Sequence, residues 1–83
     1  MADYSFILNH AGLDYRFEVE AIHNEILNEV YYSVTYDNHP PCLMAWDIDK
    51  ARLVRQGSAP YIVYELENLI AQQIEWYNLE HGA

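Results

Sequence analysis

Residues 13–21 read LDYRFEVEA, and apolar and charged side chains alternate along this stretch without a break. The odd-numbered residues, from Leu13 to Ala21, are apolar or aromatic, and the even-numbered residues, from Asp14 to Glu20, are charged. Successive side chains of a strand point to opposite faces of a sheet. We therefore predict a strand over residues 13–21 that buries one face and exposes the other to water.

The preceding residues predict a partner for this strand. Tyr4–Asn9 places Tyr4, Phe6 and Leu8 on one face, and residues 9–12, NHAG, have the composition of a turn. Two alternating segments joined by a short connection that contains Asn and Gly are typical of a β-hairpin. The first two strands are therefore expected to pair antiparallel.

Further strands are predicted downstream of this hairpin. Ile22–Glu29 is mostly polar and predicts a wide loop with room for one helical turn, and Val30–Tyr36 predicts a third strand. Residues 37–41, DNHPP, must end that strand, since proline donates no ladder hydrogen bond. A fourth strand is expected from Cys42 through Trp46, a turn at residues 47–50, and a short fifth strand at residues 52–55, the weakest of the five patterns.

The C-terminal third predicts one long helix that starts with Ser58 as N-cap and Pro60 in the first turn and ends near Leu79. A spacing of 100° per residue gathers an apolar stripe of Ile62, Val63, Leu66, Leu69, Ile70, Ile74, Trp76 and Tyr77. The predicted fold class is α+β. We expect one domain over residues 1–83, with an antiparallel sheet of four to five strands in β-β-β-β-(β)-α order, containing two hairpins and covered on one face by the helix.

Charge and composition narrow the classes of function. The 83 residues include 13 acidic and 4 basic side chains, a net charge of -9, yet 52% are hydrophobic, so a folded core is expected. Such a chain repels nucleic-acid phosphates and anionic lipid, and no stretch approaches the roughly 20 apolar residues that cross a bilayer. We expect no direct nucleic-acid binding and no membrane association. A single cysteine and the absence of a signal-like N-terminus predict a cytoplasmic location.

Few residues suggest chemistry. His39 and Cys42 bring an imidazole and a thiol close in sequence, but no third orienting group is identifiable, so a buried structural cysteine is the stronger interpretation. His10, His23, His39 and His81 share no metal-ligand spacing with one another, and no phosphate-binding or nucleophile-elbow motif occurs. We expect no catalytic residue, no cofactor and no metal, and therefore no enzyme.

Tyrosine is the unusual residue, with 8 in a chain whose core is too small to hold them all. Tyr31, Tyr61 and Tyr64 fall outside the predicted apolar faces and are candidates for a protein interface, because tyrosine offers a large contact area and a polar tip. The alternative is that the rings lie over the rim of the core. The leading hypothesis is therefore a non-catalytic protein-interaction domain that self-associates as a homodimer or binds another protein.

Two other functions stay open from the sequence. Asp14, Glu18 and Glu20, interrupted by Arg16, could imitate nucleic-acid phosphates and block the groove of a basic nucleic-acid-binding enzyme, since residues two apart on a strand are about 6.6 Å apart. A small ligand-binding module or enzyme would instead need a pocket beside His39, Cys42 or residues 22–29.

Overall fold

The computed structural model describes residues 2–37, 39–57 and 62–81. Its strands are β1 (Tyr4–His10), β2 (Leu13–Asn24), β3 (Glu29–Tyr36), β4 (Cys42–Asp47) and β5 (Arg52–Gln56), and its helix is α1 (Tyr64–Glu80). The strands form one antiparallel, curled sheet in the order β1-β2-β3-β4-β5, and α1 packs on one face. The predicted α+β fold is confirmed, including the short fifth strand. Within the described residues, no helix combines the length and apolar character that a bilayer crossing requires.

The first hairpin has a tighter turn than the sequence predicted. His10 pairs with Leu13, so the connection is the two residues Ala11 and Gly12 rather than residues 9–12. Both turn residues have positive φ, 53° and 78°, as expected for a two-residue turn that matches the twist of its strands. Asn9, predicted in the turn, lies in β1, and its Nδ2 donates to Asp14 Oδ1 at 3.0 Å.

The predicted wide loop over residues 22–29 is wrong, because half of it is strand. The β2–β3 ladder continues through the pair Asn24 and Glu29, which leaves only residues 25–28 as the turn. This outer part of the hairpin extends beyond Tyr4, the first residue of β1, which pairs with Val19. Both of its faces therefore meet solvent. Hydrophobic alternation fades where neither face is buried, and this is why the pattern resembled a loop.

The predicted helix start is also wrong. Val63 is extended, with φ -74° and ψ 164°, and α1 begins at Tyr64; Ser58 and Pro60 lie outside the described residues. Ile62 is only 2% exposed, and its carbonyl accepts a 2.8 Å hydrogen bond from Arg55 Nη1. A side chain fixed in the core and a carbonyl bonded to a strand hold this segment outside the helix.

The core lies between α1 and one sheet face. Its buried apolar side chains are Leu8, Phe17, Val19, Val34, Cys42, Met44, Leu53, Ile62, Leu66, Ile70, Ala71 and Ile74. The predicted helix stripe holds for Leu66, Ile70 and Ile74, but Trp76 is 60% exposed and Glu67 is only 5% exposed. The stripe is therefore rotated relative to the prediction, toward the side that carries Glu67.

The two halves of α1 are attached to opposite edges of the sheet. Near its start, Glu67 lies 3.1 Å from Arg55 and 3.5 Å from Arg52, both on β5. Near its end, the Tyr77 ring stacks on Tyr4 of β1, with centroids 3.7 Å apart. The helix therefore crosses the sheet obliquely from β5 to β1, and it leaves part of the sheet face uncovered beside its C-terminal turns.

Candidate protein-binding surface

An open cleft of about 840 Å³ lies where the oblique helix leaves the sheet uncovered. Its lining residues, which define the cleft throughout, are Val30, Tyr32, Trp46, Leu53, Glu75, Asn78 and Leu79. Leu53 is buried, but Trp46 is 56% exposed and Leu79 is 82% exposed. The cleft therefore presents apolar area to solvent that the fold itself does not cover.

The strand order brings further apolar side chains to the same end of the molecule. The β2–β3 turn, the β4–β5 turn and the C-terminus of α1 all lie at this end, since the antiparallel strands and the returning helix alternate in direction. Ile26 in the first turn is 94% exposed, and Ile48 in the second is 84% exposed. We call this surface the apolar end and define it as the cleft plus Ile26, Leu27 and Ile48.

Both turns at the apolar end are held by a side chain at the end of the preceding strand. The amides of Ile26 and Leu27 donate to Asn24 Oδ1 at 3.1 and 3.2 Å. The amides of Asp49 and Lys50 donate to Asp47 Oδ1 at 2.9 and 3.1 Å. Asn and Asp form such turns readily, so each isoleucine is presented on an ordered backbone.

A side groove of about 550 Å³ adjoins the cleft and is lined by Asp3, Tyr4, Ala21, Val30, Tyr32, Tyr77, Asn78 and His81. Asn78 Nδ2 donates to Tyr32 Oη at 2.8 Å, and both residues line the two cavities. The buried Tyr4 hydroxyl has no hydrogen-bond partner in the described part of the chain. Burial is the main cause of a raised pKa for Tyr4, and the neighbouring Tyr32, Tyr77 and Asp3 add to the rise. The phenol therefore stays neutral.

The charges around these cavities have one sign. Glu75 lines the cleft and Asp3 lines the side groove, while Glu29 lines a third cavity of about 410 Å³ on the helix-free face that meets the cleft at Val30 and Trp46. Among the described residues that line the three cavities, none is Lys or Arg. Arg52 and Arg55 are engaged with Glu67 on the β5 side of the helix. The cleft and the side groove are thus bordered by acidic side chains.

Comparison with protein-family models, curated proteins and solved structures gave no match to this chain. Function therefore has to be inferred from the surface itself.

The two predicted interface tyrosines that the structure describes, Tyr31 and Tyr64, lie in different parts of the fold. Tyr31 lies on the helix-free face, where its hydroxyl donates to Glu29, and this hydrogen bond raises the pKa of Tyr31. Tyr64 is the first residue of α1 and lies under the guanidinium of Arg52, 5.4 Å from the ring centroid. Tyr61 lies outside the described residues. Tyr4, Tyr15, Tyr32 and Tyr36 instead pack against the core, as in the alternative interpretation.

Cys42 is buried, as expected, and is 4% exposed. Burial raises the pKa of its thiol; Arg55 lowers it and Glu67 adds to the rise. A thiol that resists ionisation and faces the core is a poor nucleophile. The His39 ring stacks on Tyr36, with centroids 5.1 Å apart, and its Nδ1 lies 3.1 Å from the Tyr36 carbonyl oxygen.

The acidic residues of β2 lie on the helix-free face. Asp14, Glu18 and Glu20 point away from the core side chains Phe17 and Val19, as the alternation predicted. Arg16 lies between them, and its Nη2 is 3.4 Å from Ser5 Oγ. In the described ranges no cluster of three or more His, Cys, Asp or Glu side chains could hold a metal ion.

Sequence reasoning missed the apolar end, although signals for it existed. Ile26 and Leu27 are apolar within a polar segment, and Ile48 lies between two aspartates, so none of them fits the core pattern of a strand or helix. Trp46 was predicted in the fourth strand, as observed, but the oblique helix does not cover it. Apolar residues that do not fit the period of their element were the available signal.

Proposed function

We propose that this chain is a non-catalytic protein-interaction domain that binds its partner through the apolar end. The observation that carries the proposal is the convergence of Ile26, Ile48 and Leu79, exposed by 94%, 84% and 82%, on one end of the molecule beside the half-exposed Trp46. Contiguous exposed apolar patches mark interaction sites more often than single exposed residues do.

These side chains contribute little to folding. Burial of apolar area stabilises a fold by about 25 cal/mol per Å², so side chains that stay in water add almost nothing. A partner that covered them would gain that free energy on binding. Tryptophan at the centre of such a patch is typical of residues that dominate binding energy.

Self-association stays a prediction. An 83-residue chain buries only part of its unfolded surface, so association is an effective way to add stability. Either a second copy or a different protein could cover the apolar end. Crosslinking the domain to its partner distinguishes them, because the mass of the covalent adduct gives the mass of the partner.

The test is site-specific photo-crosslinking. A photoreactive amino acid replaces Leu79 in one variant and Leu13, which is 60% exposed in the hairpin at the opposite end, in the matched control. Each purified variant is irradiated alone and in a lysate of the source organism. We expect a discrete adduct from position 79 in at least one of these two samples, and none from position 13 in either. Equal adducts from both positions, or none from either, would contradict the proposal.

The acidic face supports a second candidate, imitation of nucleic acid. Asp14, Glu18 and Glu20 lie along one strand of the helix-free face, and acidic residues line two adjoining cavities there. Arg16 is the only lysine or arginine among the described residues that line these two cavities. A photoreactive residue at Ser5, which pairs with Glu18, tests this candidate. A salt-sensitive adduct with a basic nucleic-acid-binding protein from position 5, and none from position 79, would favour mimicry.

A further inference from the structure

We infer that the partner segment that occupies the cleft is a basic amphipathic helix of a different protein. This inference rests on the proposed function, because it specifies what binds at the apolar end. It commits to a chemistry, with apolar side chains on one face of the segment and lysine or arginine on its flanks.

The sign of the charge around the cleft is the first argument. The wall of the cleft contains Glu75, the side groove contains Asp3, and no described Lys or Arg lines either of them. Asp47 and Asp49 at the β4–β5 turn add negative charge at this end, against the single positive charge of Lys50 in the same turn. A basic flank would therefore be attracted during approach and paired at the rim after docking.

The same charges disfavour a second copy of this chain. Each copy carries a net charge of -9, and a symmetric contact would bring identical acidic walls together. Like charges brought together at an interface cost several kcal/mol. The cleft is thus better suited to a cationic partner than to itself.

The position of the cleft in the fold indicates a helix rather than an added strand. Tyr32 on β3 is paired on both sides, with Ala21 and Met44, and Trp46 lies on β4, an interior strand between β3 and β5. Strand addition needs an open sheet edge, and the cleft lies over a sheet face beside α1. An amphipathic helix binds such a groove through side chains at i, i+3, i+4 and i+7.

The probe is a synthetic helical peptide of about 18 residues, or five turns, with leucine on one face and lysine on the other. Trp46 is the reporter, in a Trp76→Phe background that leaves it as the only tryptophan. We expect a blue shift of Trp46 emission on titration, because the indole leaves water. We also expect affinity at least about tenfold higher than for the same peptide with glutamate in place of lysine, a difference that shrinks as salt rises.

Two controls separate specific docking from general attraction to an acidic protein. A peptide of the same composition with its leucines scattered around the helix keeps the charge and loses the apolar face. Leu79→Asp introduces a charge into the cleft, and Leu13→Asp introduces the same charge at the opposite end. We expect the scattered peptide and the Leu79→Asp variant to lose at least about tenfold in affinity, and the Leu13→Asp variant to bind like the parent.

Several outcomes would overturn the inference. They are equal affinity for the lysine and glutamate peptides, equal affinity for the scattered peptide, unchanged binding to the Leu79→Asp variant, or no binding at all. A concentration-dependent shift of Trp46 in the free domain, together with a dimer in sedimentation, would identify a second copy as the occupant and also overturn it. In each case a discrete adduct from position 79 would still support the proposed function, so the two failures are distinguishable.

Discussion

Replacing Phe17 with alanine should lower the free energy of unfolding by about 3–5 kcal/mol. Phe17 is 0% exposed and pairs with Phe6 on one side and Tyr36 on the other, with ring centroids at 5.7 and 5.4 Å. The deletion leaves a cavity under β2, between Phe6 of β1 and Tyr36 of β3. Denaturant titration followed by circular dichroism measures the loss.

The expected loss is large relative to the total. A domain of this size has a stability of about 4–12 kcal/mol at 0.05–0.15 kcal/mol per residue. Ile7→Ala is the matched control, since Ile7 lies in the adjacent strand but is 63% exposed, and it should cost about 0.5 kcal/mol or less. A Phe17→Ala loss below about 1 kcal/mol would mean that this part of the core is not closely packed.

Glu67→Gln should cost about 1.5–3 kcal/mol, the range for hydrogen bonds to charged groups. The carboxylate is buried and lies 3.1 Å from Arg55 Nε and 3.5 Å from Arg52 Nη1. The amide keeps the shape of the side chain but removes the countercharge. Because the two arginine side chains are 22% and 35% exposed, water can solvate them, and the loss should stay below that of a fully buried ion pair.

Glu65→Gln is the control for this prediction. Glu65 is in the same first turn and exposed, so it contributes equally to net charge and to the helix dipole but has no buried partner among the described residues. Its effect on denaturant unfolding should be within about 0.5 kcal/mol and should fall with salt, whereas that of Glu67 should persist. Equal effects of the two substitutions would show that the buried cluster does not hold the helix.

The regular elements of this fold could be predicted because their side-chain periods are local. The alternation of residues 13–21 predicted β2, and β-branched and aromatic residues predicted β3. The helix start could not be predicted, because it depends on the bond from Arg55 to the Ile62 carbonyl. The burial of Glu67 depends likewise on two arginines of an edge strand. Alternation places Arg52 and Arg55 on opposite faces, and Arg52 reaches Glu67 around the edge.

The candidate surface was less predictable than the fold. Trp46 and Leu79 belong to elements with apolar faces, and only the oblique course of α1 leaves them uncovered. That course results from contacts of the helix with β5 and β1, which are distant in sequence. The interface role of Tyr31 and Tyr64 stays a prediction, and the structure places them on the helix-free face and at the start of α1, a separation that the period of each element could not show. Ile26 and Ile48 were better indicators, since they are apolar residues in turns.

The central claim is that the apolar end serves binding and is not needed for folding. Its most direct test is the unfolding free energy of the double variant Ile26→Asn, Ile48→Asn, measured by denaturant titration against the parent chain. We predict a change within about 1 kcal/mol, since each exposed side chain contributes about 0.5 kcal/mol or less. A loss of more than about 2 kcal/mol would show that these isoleucines are part of the folding core and would contradict the claim.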